Sequence, residues 1–161
     1  MSVSVVDADL DRADHCTGLV SILDEYARLP HIAGRGLSDD VIENLAGRLA
    51  QTSGKQILLA VDGEKVIGVA VCFEAFSTFA GQPLLNIHDL AVTTEYRGQG
   101  VGTMLLDAVA ERARELGCCR VTLEVDVENP GAKKLYERSG FVMTQEFWKK
   151  ELNDSGASSN T

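Results

Sequence analysis

Four stretches of the chain repeat apolar residues at spacings of three and four, the pattern of amphipathic helices. Ser38 can cap the second of them, with Asp39 and Asp40 in its first turn, where acidic residues interact favourably with the helix dipole. Gly117 is placed to stop the third, because glycine readily takes the left-handed conformation that ends many helices. The pattern predicts helices over residues 9–29, 39–49, 98–116 and 130–138.

Short runs rich in Val, Ile and Leu lie between these helices and predict strands. Asp62-Gly63 predicts a tight turn that joins two of them into a hairpin, since such a turn needs positive φ angles. Residues 74–83 show no clear period, and we expect an irregular connection there. The predicted strands cover residues 2–6, 56–61, 66–73, 84–92, 119–127 and 141–150.

The resulting order is β-α-α-β-β-β-α-β-α-β. It predicts an α/β fold with a mixed central sheet and helices on both faces. The length of 161 residues fits a single domain, which we assign to residues 1–152. The remaining residues, 153–161, are rich in Asn, Ser and Gly, and we expect a disordered tail.

Acidic residues outnumber basic ones by 24 to 15, giving a net charge of −9. This excess repels nucleic-acid phosphates and anionic lipids, so we expect neither nucleic acid nor a membrane as a partner. The chain has no apolar run of about 18 residues and no basic N-terminus followed by an apolar stretch, and we expect a cytoplasmic protein. The four cysteines lack metal-site spacing, so we expect reduced thiols and no metal.

Alternating glycines, Gly98, Gly100 and Gly102, stand between the fourth strand and the third helix. The amides at a helix N-terminus bind anions, and glycines let phosphate oxygens approach the backbone. Arg97 adds a positive charge and Thr103 a hydroxyl, so the segment predicts a pyrophosphate site. No Lys follows the glycines as in a Walker loop, and Thr103 stands where a dinucleotide fingerprint needs glycine.

Two segments resemble a known family. Arg97-Gly-Gln-Gly-Val-Gly102 resembles the R/Q-x-x-G-x-G/A motif of the GNAT superfamily of acyl-CoA N-acyltransferases. Asn129-Pro-Gly-Ala-Lys-Lys-Leu-Tyr-Glu-Arg-Ser-Gly-Phe141 resembles its second motif, N-x-x-A-x-x-L-Y-x-x-x-G-F. The likeness extends over about residues 2–152, and Glu25, Tyr26 and Phe73–Phe79 are loosely similar to the diamine acetyltransferases.

The resemblance implies that acetyl-CoA is the co-substrate. Tyr136 matches the family tyrosine that is commonly the general acid for the leaving thiolate. Asn129 would cap its helix and contact the coenzyme arm. The other residues implied to bind the coenzyme are Leu90, Ala91 and Val92 through their backbone, and Arg97, Gly98, Gln99, Gly100, Val101, Gly102 and Thr103 around the pyrophosphate.

The base that accepts the amine proton is less clearly marked. Many relatives carry a Glu on the central strand, where this chain has His88, and a neutral imidazole suits the role. Strand alternation would place His88 on the face of Asn86 and Leu90, with Asp89 opposite. Glu124 of the next strand is the alternative, and a base formed by water alone stays open.

The acceptor side is predicted from charge. The first 50 residues hold nine acidic residues against four arginines, which favours a cationic small molecule, although solvated helix faces explain the same charges. We therefore predict an N-acetyltransferase that acts on a small primary amine by direct transfer in a ternary complex. An acyl-CoA-binding module without turnover and an acetyltransferase for protein N-termini or lysines stay open. Phe76 and Phe79 suggest an exposed apolar patch and a homodimer.

Overall fold

The computed structural model describes residues 2–152, which form one α/β domain around a five-stranded mixed sheet. The strands are β1 Val3–Asp7, β2 Lys55–Asp62, β3 Lys65–Ser77, β4 Gln82–Val92 and β5 Val121–Leu123. The helices are α1 Ala13–Ala27, α2 Asp39–Ala50, α3 Val101–Glu115 and α4 Pro130–Arg138, and Thr94–Tyr96 forms one 3₁₀ turn. Strands β1 to β4 are antiparallel neighbours in chain order, and β5 lies parallel to β4. The predicted tail, 153–161, lies outside the described residues.

Helices cover both faces of the sheet, as predicted. On one face, α3 buries Leu105 and Val109 against the strands, and α4 adds partly buried side chains such as Leu135. On the other face, α1 and α2 bury Leu19 and Leu49 in a second apolar cluster. The sheet is therefore a layer with a core on each side, which fixes the positions of α1 and α3 relative to β4. None of the helices described within residues 2–152 is long and apolar enough to cross a membrane.

Local sequence signals at the helix ends are confirmed. The Ser38 hydroxyl accepts a hydrogen bond of 3.3 Å from the amide of Val41, so it caps α2. Gly117 follows α3 with a φ of 72°. Helix α1 begins at Ala13, four residues later than predicted, because the preceding residues form a turn closed by the amide of Arg12 and the carbonyl of Asp9.

The expected irregular connection at residues 74–83 is wrong. Strand β3 continues to Ser77, and β4 begins at Gln82, the partner of Ser77 in a second hairpin. Gly81 turns the chain there with a φ of 64°. This hairpin is held by hydrogen bonds between the two backbones, and apolar side chains such as Phe76 are exposed on it. The alternation of apolar and polar residues that predicts a half-buried strand is therefore missing.

Two strand predictions near the C-terminus are also wrong in part or in full. Strand β5 covers only Val121–Leu123 of the expected residues 119–127, because its pairing with β4 ends after Leu123. The predicted last strand, Phe141–Lys150, does not form. A strand needs a hydrogen-bonded neighbour, and the short β5 offers it little template. The large apolar side chains of residues 141–150 are exposed; they are Val142, Met143, Phe147 and Trp148.

Candidate functional site

The centre of β4 contains a bulge at His88. Val71 of β3 pairs with Asp89, and Cys72 pairs with Ile87, which leaves His88 as the extra residue. Before the bulge, Ile87 faces the α3 side, and after it Leu90 does. The bulge thus reverses the alternation of side chains along the strand.

His88 lies on the face of Asn86 as predicted. The predicted faces of Leu90 and Asp89 relative to His88 are wrong because of the bulge. The His88 ring lies edge-to-face against the Phe73 ring, with centroids 5.8 Å apart, and Phe73 packs on the α1–α2 side. Leu90, expected beside His88, packs on the opposite side. Asp89, expected opposite His88, precedes Leu90 and so points toward α1.

Strands β4 and β5 separate at the same point. They pair from Leu85–Val121 to Ile87–Leu123 and no further. From residue 89 to residue 92, β4 is paired with β3 on one edge, and no described strand covers the other. Backbone groups point alternately toward β3 and away from it, so those of Leu90 and the amide of Val92 face a slot along the outer edge, into which an extended chain could add hydrogen bonds.

The slot leads to the glycine loop. Gly98 and Gly100 have φ angles of 73° and 85°, which side-chain-bearing residues rarely adopt, and a Cβ at either would meet open space. Gly100 is the N-cap of α3, so the first amides of the helix have no carbonyl partner one turn earlier. Among the residues that carry these amides, Val101 has a buried side chain that anchors the start of α3, and Thr103 is exposed.

Gly102 requires glycine for a reason other than a positive φ angle. A Cβ there would lie 3.0 Å from Leu135 Cδ2, so the missing side chain lets α3 approach α4 closely. This contact fixes the loop relative to the helix that carries Tyr136.

The side chains around the loop fold back onto its backbone. Arg97 Nε donates to the carbonyl of Val92 at 2.9 Å, and its guanidinium lies 3.8 Å from Glu25 of α1. Gln99 Nε2 donates to the carbonyl of Glu95 at 2.9 Å. The loop is thus ordered by contacts with its own backbone and with α1, with its amides free to meet an anion.

Helix α4 carries the other two predicted residues. Asn129 Oδ1 accepts a hydrogen bond of 3.1 Å from the amide of Ala132, so the predicted N-cap is confirmed. Tyr136 packs against the α3-side cluster, and its ring lies edge-to-face against the Phe141 ring, with centroids 5.9 Å apart. Burial, with a smaller contribution from Tyr26, raises the pKa of Tyr136 to about 12. Like an exposed tyrosine, it is protonated at neutral pH and carries a proton that it can donate.

Two residues that the sequence reasoning did not select as site residues join this centre. Burial raises the pKa of Asp89, with the charge of His88 opposing it. Burial also raises the pKa of Tyr26, and the negative charge of Asp89 adds to that shift. Tyr26 in turn contributes to the raised pKa of Tyr136. Glu124 is exposed, one residue past the end of β5.

The bulge turns two polar residues toward one face, and the alternation of apolar residues in the sequence does not show it. Asp89 was therefore not recognisable from the sequence as a residue on the face of His88. No group of three or more His, Cys, Asp or Glu side chains within residues 2–152 is arranged to hold a metal ion.

Comparisons with known proteins agree with this geometry. A model of the Acetyltransferase (GNAT) family matches residues 19–141. N-alpha-acetyltransferase 30 of Schizosaccharomyces pombe is 33% identical over 100 residues, which are 62% of this chain and 65% of that protein. Thialysine N-epsilon-acetyltransferase of Bos taurus is 36% identical over 78 residues, 48% of this chain and 45% of that protein.

A solved structure, an integron cassette protein from the mobile metagenome of V. cholerae, matches with a TM-score of 0.80 at 27% identity. That match covers 95% of this chain and 94% of the other. The chain spans less than two thirds of the length of the two curated relatives it matches. The family model covers most of the fold, including the bulge, the glycine loop and Tyr136, and the chain therefore belongs to the GNAT family of acetyltransferases.

Proposed function

We propose that this protein transfers the acetyl group of acetyl-CoA directly to a primary amine of a small molecule, in a ternary complex. The observation that carries the proposal is that an unpaired edge of β4 is followed, after one 3₁₀ turn, by the uncapped amides of the glycine loop. An extended pantetheine arm fits the first, and a pyrophosphate fits the second.

The coenzyme is bound mainly by backbone groups. Leu90–Val92 hydrogen-bond the arm, and an amide of this edge polarises the thioester carbonyl as negative charge develops on its oxygen. Gly98–Thr103 and Arg97 bind the pyrophosphate. Backbone amides suit a protein of net charge −9, because they bind an anion locally without a basic surface.

The proton transfers are assigned to His88 and Tyr136. The amine must lose a proton to attack, and His88, on the face of β4 turned toward α1, accepts it. Tyr136 then protonates the leaving thiolate, a role that suits a buried phenol that is neutral at physiological pH. Glu124, or a water it orients, is the alternative base.

The acceptor enters on the α1 side. Tyr26 and the partly buried carboxyl of Asp89 line this side, with Asp126 close enough for its charge to raise the pKa of Tyr26. Acidic groups around an aromatic ring favour a cation. The relative named for thialysine, a small amine, is consistent with this choice.

Acetylation of protein N-termini is the second candidate. It is favoured by the relative named N-alpha-acetyltransferase 30, which matches a longer part of this chain than the thialysine enzyme does. A coenzyme-binding module without turnover would use the same slot. Cytoplasmic location and a homodimer stay predictions.

The test is release of free thiol from acetyl-CoA with two substrate panels, small primary amines and peptides with free N-termini. We expect turnover with at least one small amine and acetylated product by mass spectrometry. Turnover with peptides alone would replace the small-amine proposal by the N-terminal one. Coenzyme binding without product in either panel would favour the alternative of a coenzyme-binding module without turnover.

A further inference from the structure

Glu25, in the last turn of α1, reaches across to the segment that joins β4 to the glycine loop. Its Oε2 accepts a hydrogen bond of 2.9 Å from the hydroxyl of Thr93. Its Oε1 accepts one of 2.8 Å from the amide of Thr94 and another from the Thr94 hydroxyl. Arg97 Nη2 lies 3.8 Å from the same oxygen. One side chain therefore contacts three residues that lie 68 to 72 positions further along the chain.

The location of Glu25 is unfavourable for α1 itself. The last turn of a helix carries the negative end of the dipole, and α1 has no basic residue there to offset an acid. Asp24 beside it is compensated by Arg28 and by the amide of Leu37. The carboxylate of Glu25 is instead compensated by the amide at the start of the 3₁₀ turn Thr94–Tyr96, which it caps from another element.

Glu25 is ionised in this setting. Burial on its own raises the pKa of Glu25, but the hydrogen bonds from Thr94 and Thr93 and the charge of Arg97 outweigh it, so the pKa lies below its usual value. A carboxylate with three hydrogen-bond donors holds its partners more firmly than a neutral group does.

The two ends of this connection belong to the two halves of the proposed site. The 3₁₀ turn leads directly into Arg97 and the glycines. On α1, the next residue is Tyr26, which packs against the apolar cluster on the α1 side of the sheet, the side proposed for the amine. The last turn of α1 thus faces the amine site with one residue and holds the pyrophosphate loop with the preceding one.

We propose that Glu25 is a positioning residue that fixes the pyrophosphate loop to the wall of the amine site, and so couples coenzyme binding to the last turn of α1. This role rests on the proposed function, because it assumes that the loop binds the coenzyme. Without Glu25, Thr93 and Thr94 lose their anchor, and the loop amides and Arg97 leave the geometry that a pyrophosphate needs.

Calorimetric titration with coenzyme A tests the positioning role. Glu25→Ala should raise the Kd for coenzyme A about tenfold, as expected for the loss of a hydrogen-bonded charged group. Glu25→Gln should stay within about threefold of wild type, because its amide oxygen can accept from Thr94 and its NH₂ can donate to Thr93. The control is Glu43→Ala, which removes the same charge from an exposed site on α2 and should leave the Kd unchanged.

Hydrogen exchange tests the coupling. In wild type, coenzyme A should slow amide exchange both in the glycine loop and at residues 26–29 after Glu25. In Glu25→Ala at saturating coenzyme A, only the loop should slow. A positioning role also predicts that the KM for acetyl-CoA rises more than the KM for the amine, with circular dichroism showing that the variant is folded.

The outcomes separate this inference from the proposed function. A folded Glu25→Ala protein with wild-type affinity for coenzyme A, or with protection still spreading to residues 26–29, would overturn the role of Glu25. Glu25→Gln as weak as Glu25→Ala would overturn it as well, since hydrogen-bonded positioning predicts rescue. A wild-type protein that binds no coenzyme A would instead refute the proposed function.

Discussion

Tyr136 combines two properties that a proton donor in this site needs. The phenol is protonated at neutral pH, and α4 places its ring against the α3-side cluster. Tyr26 packs on the other face of the sheet, the side proposed for the amine, and contributes to the raised pKa of Tyr136. At the residue scale, the proposed chemistry depends on this phenol and on His88.

Replacement of Tyr136 by Phe removes only the hydroxyl. We expect kcat to fall about 100-fold, the lower range of general acid catalysis, with the KM for acetyl-CoA and the Tm nearly unchanged. Tyr96→Phe is the matched control, because its hydroxyl donates to Asp62 away from the slot. Steady-state kinetics with a fixed amine measures both, and full activity in Tyr136→Phe would remove the general-acid assignment.

His88 predicts a pH dependence. A base must be unprotonated to act, so the ascending part of the pH profile of kcat/KM should depend on His88. In His88→Ala the rise should vanish together with most of the activity. Glu124→Gln should keep the wild-type profile. If instead the profile changed in Glu124→Gln and persisted in His88→Ala, the base would be Glu124.

At the element scale, the bulge in β4 decides which side chains meet. It turns both His88 and Asp89 toward α1, and the separation of β4 from β5 begins at the same place. The helix caps at Ser38 and Asn129 were predictable, because a cap depends on neighbours three residues away. The bulge was not, because it depends on how a strand pairs with a partner distant in sequence.

The same distinction explains the other differences. The hairpin at residues 74–83 is ordered by pairing between backbones, and exposed side chains give it no apolar period. Phe141–Lys150 has strand-like residues, but strand propensity forms no strand without a paired neighbour. The glycine loop was recognisable because its spacing and flanking residues are local.

Gly100 gives a prediction for this loop. Gly100→Ala should cost about 1–2 kcal/mol of stability, because alanine must adopt a left-handed backbone, and it should weaken coenzyme binding. Gly47→Ala is the matched control: this residue lies inside α2 with open space around it, and alanine should stabilise the protein by about 1 kcal/mol. Thermal unfolding measures both, and equal shifts would contradict the assigned role of Gly100.

At the scale of the whole molecule, charge and apolar surface point to different partners. Five of the nine excess negative charges lie in the first 50 positions, where α1 and α2 form the proposed amine side, whereas the pyrophosphate site relies on amides. The β3–β4 hairpin exposes Phe76 and Phe79, whose apolar surface is available to another molecule.

The hairpin underlies the predicted homodimer. Sedimentation equilibrium should give twice the chain mass for wild type, and the double variant Phe76→Ser and Phe79→Ser should give a monomer that remains folded. The variants lie at exposed positions, so their stability should change little. A wild-type monomer at micromolar concentration would exclude this dimer.

The most direct test of the account is a crystal structure of the protein with coenzyme A. It should show the pantetheine arm hydrogen-bonded to the backbone of Leu90–Val92, the pyrophosphate on the amides of Gly98–Thr103, and the thiol beside Tyr136. A coenzyme bound elsewhere, or a sulfur directed away from Tyr136 and the α1 side, would contradict the proposed acetyl transfer.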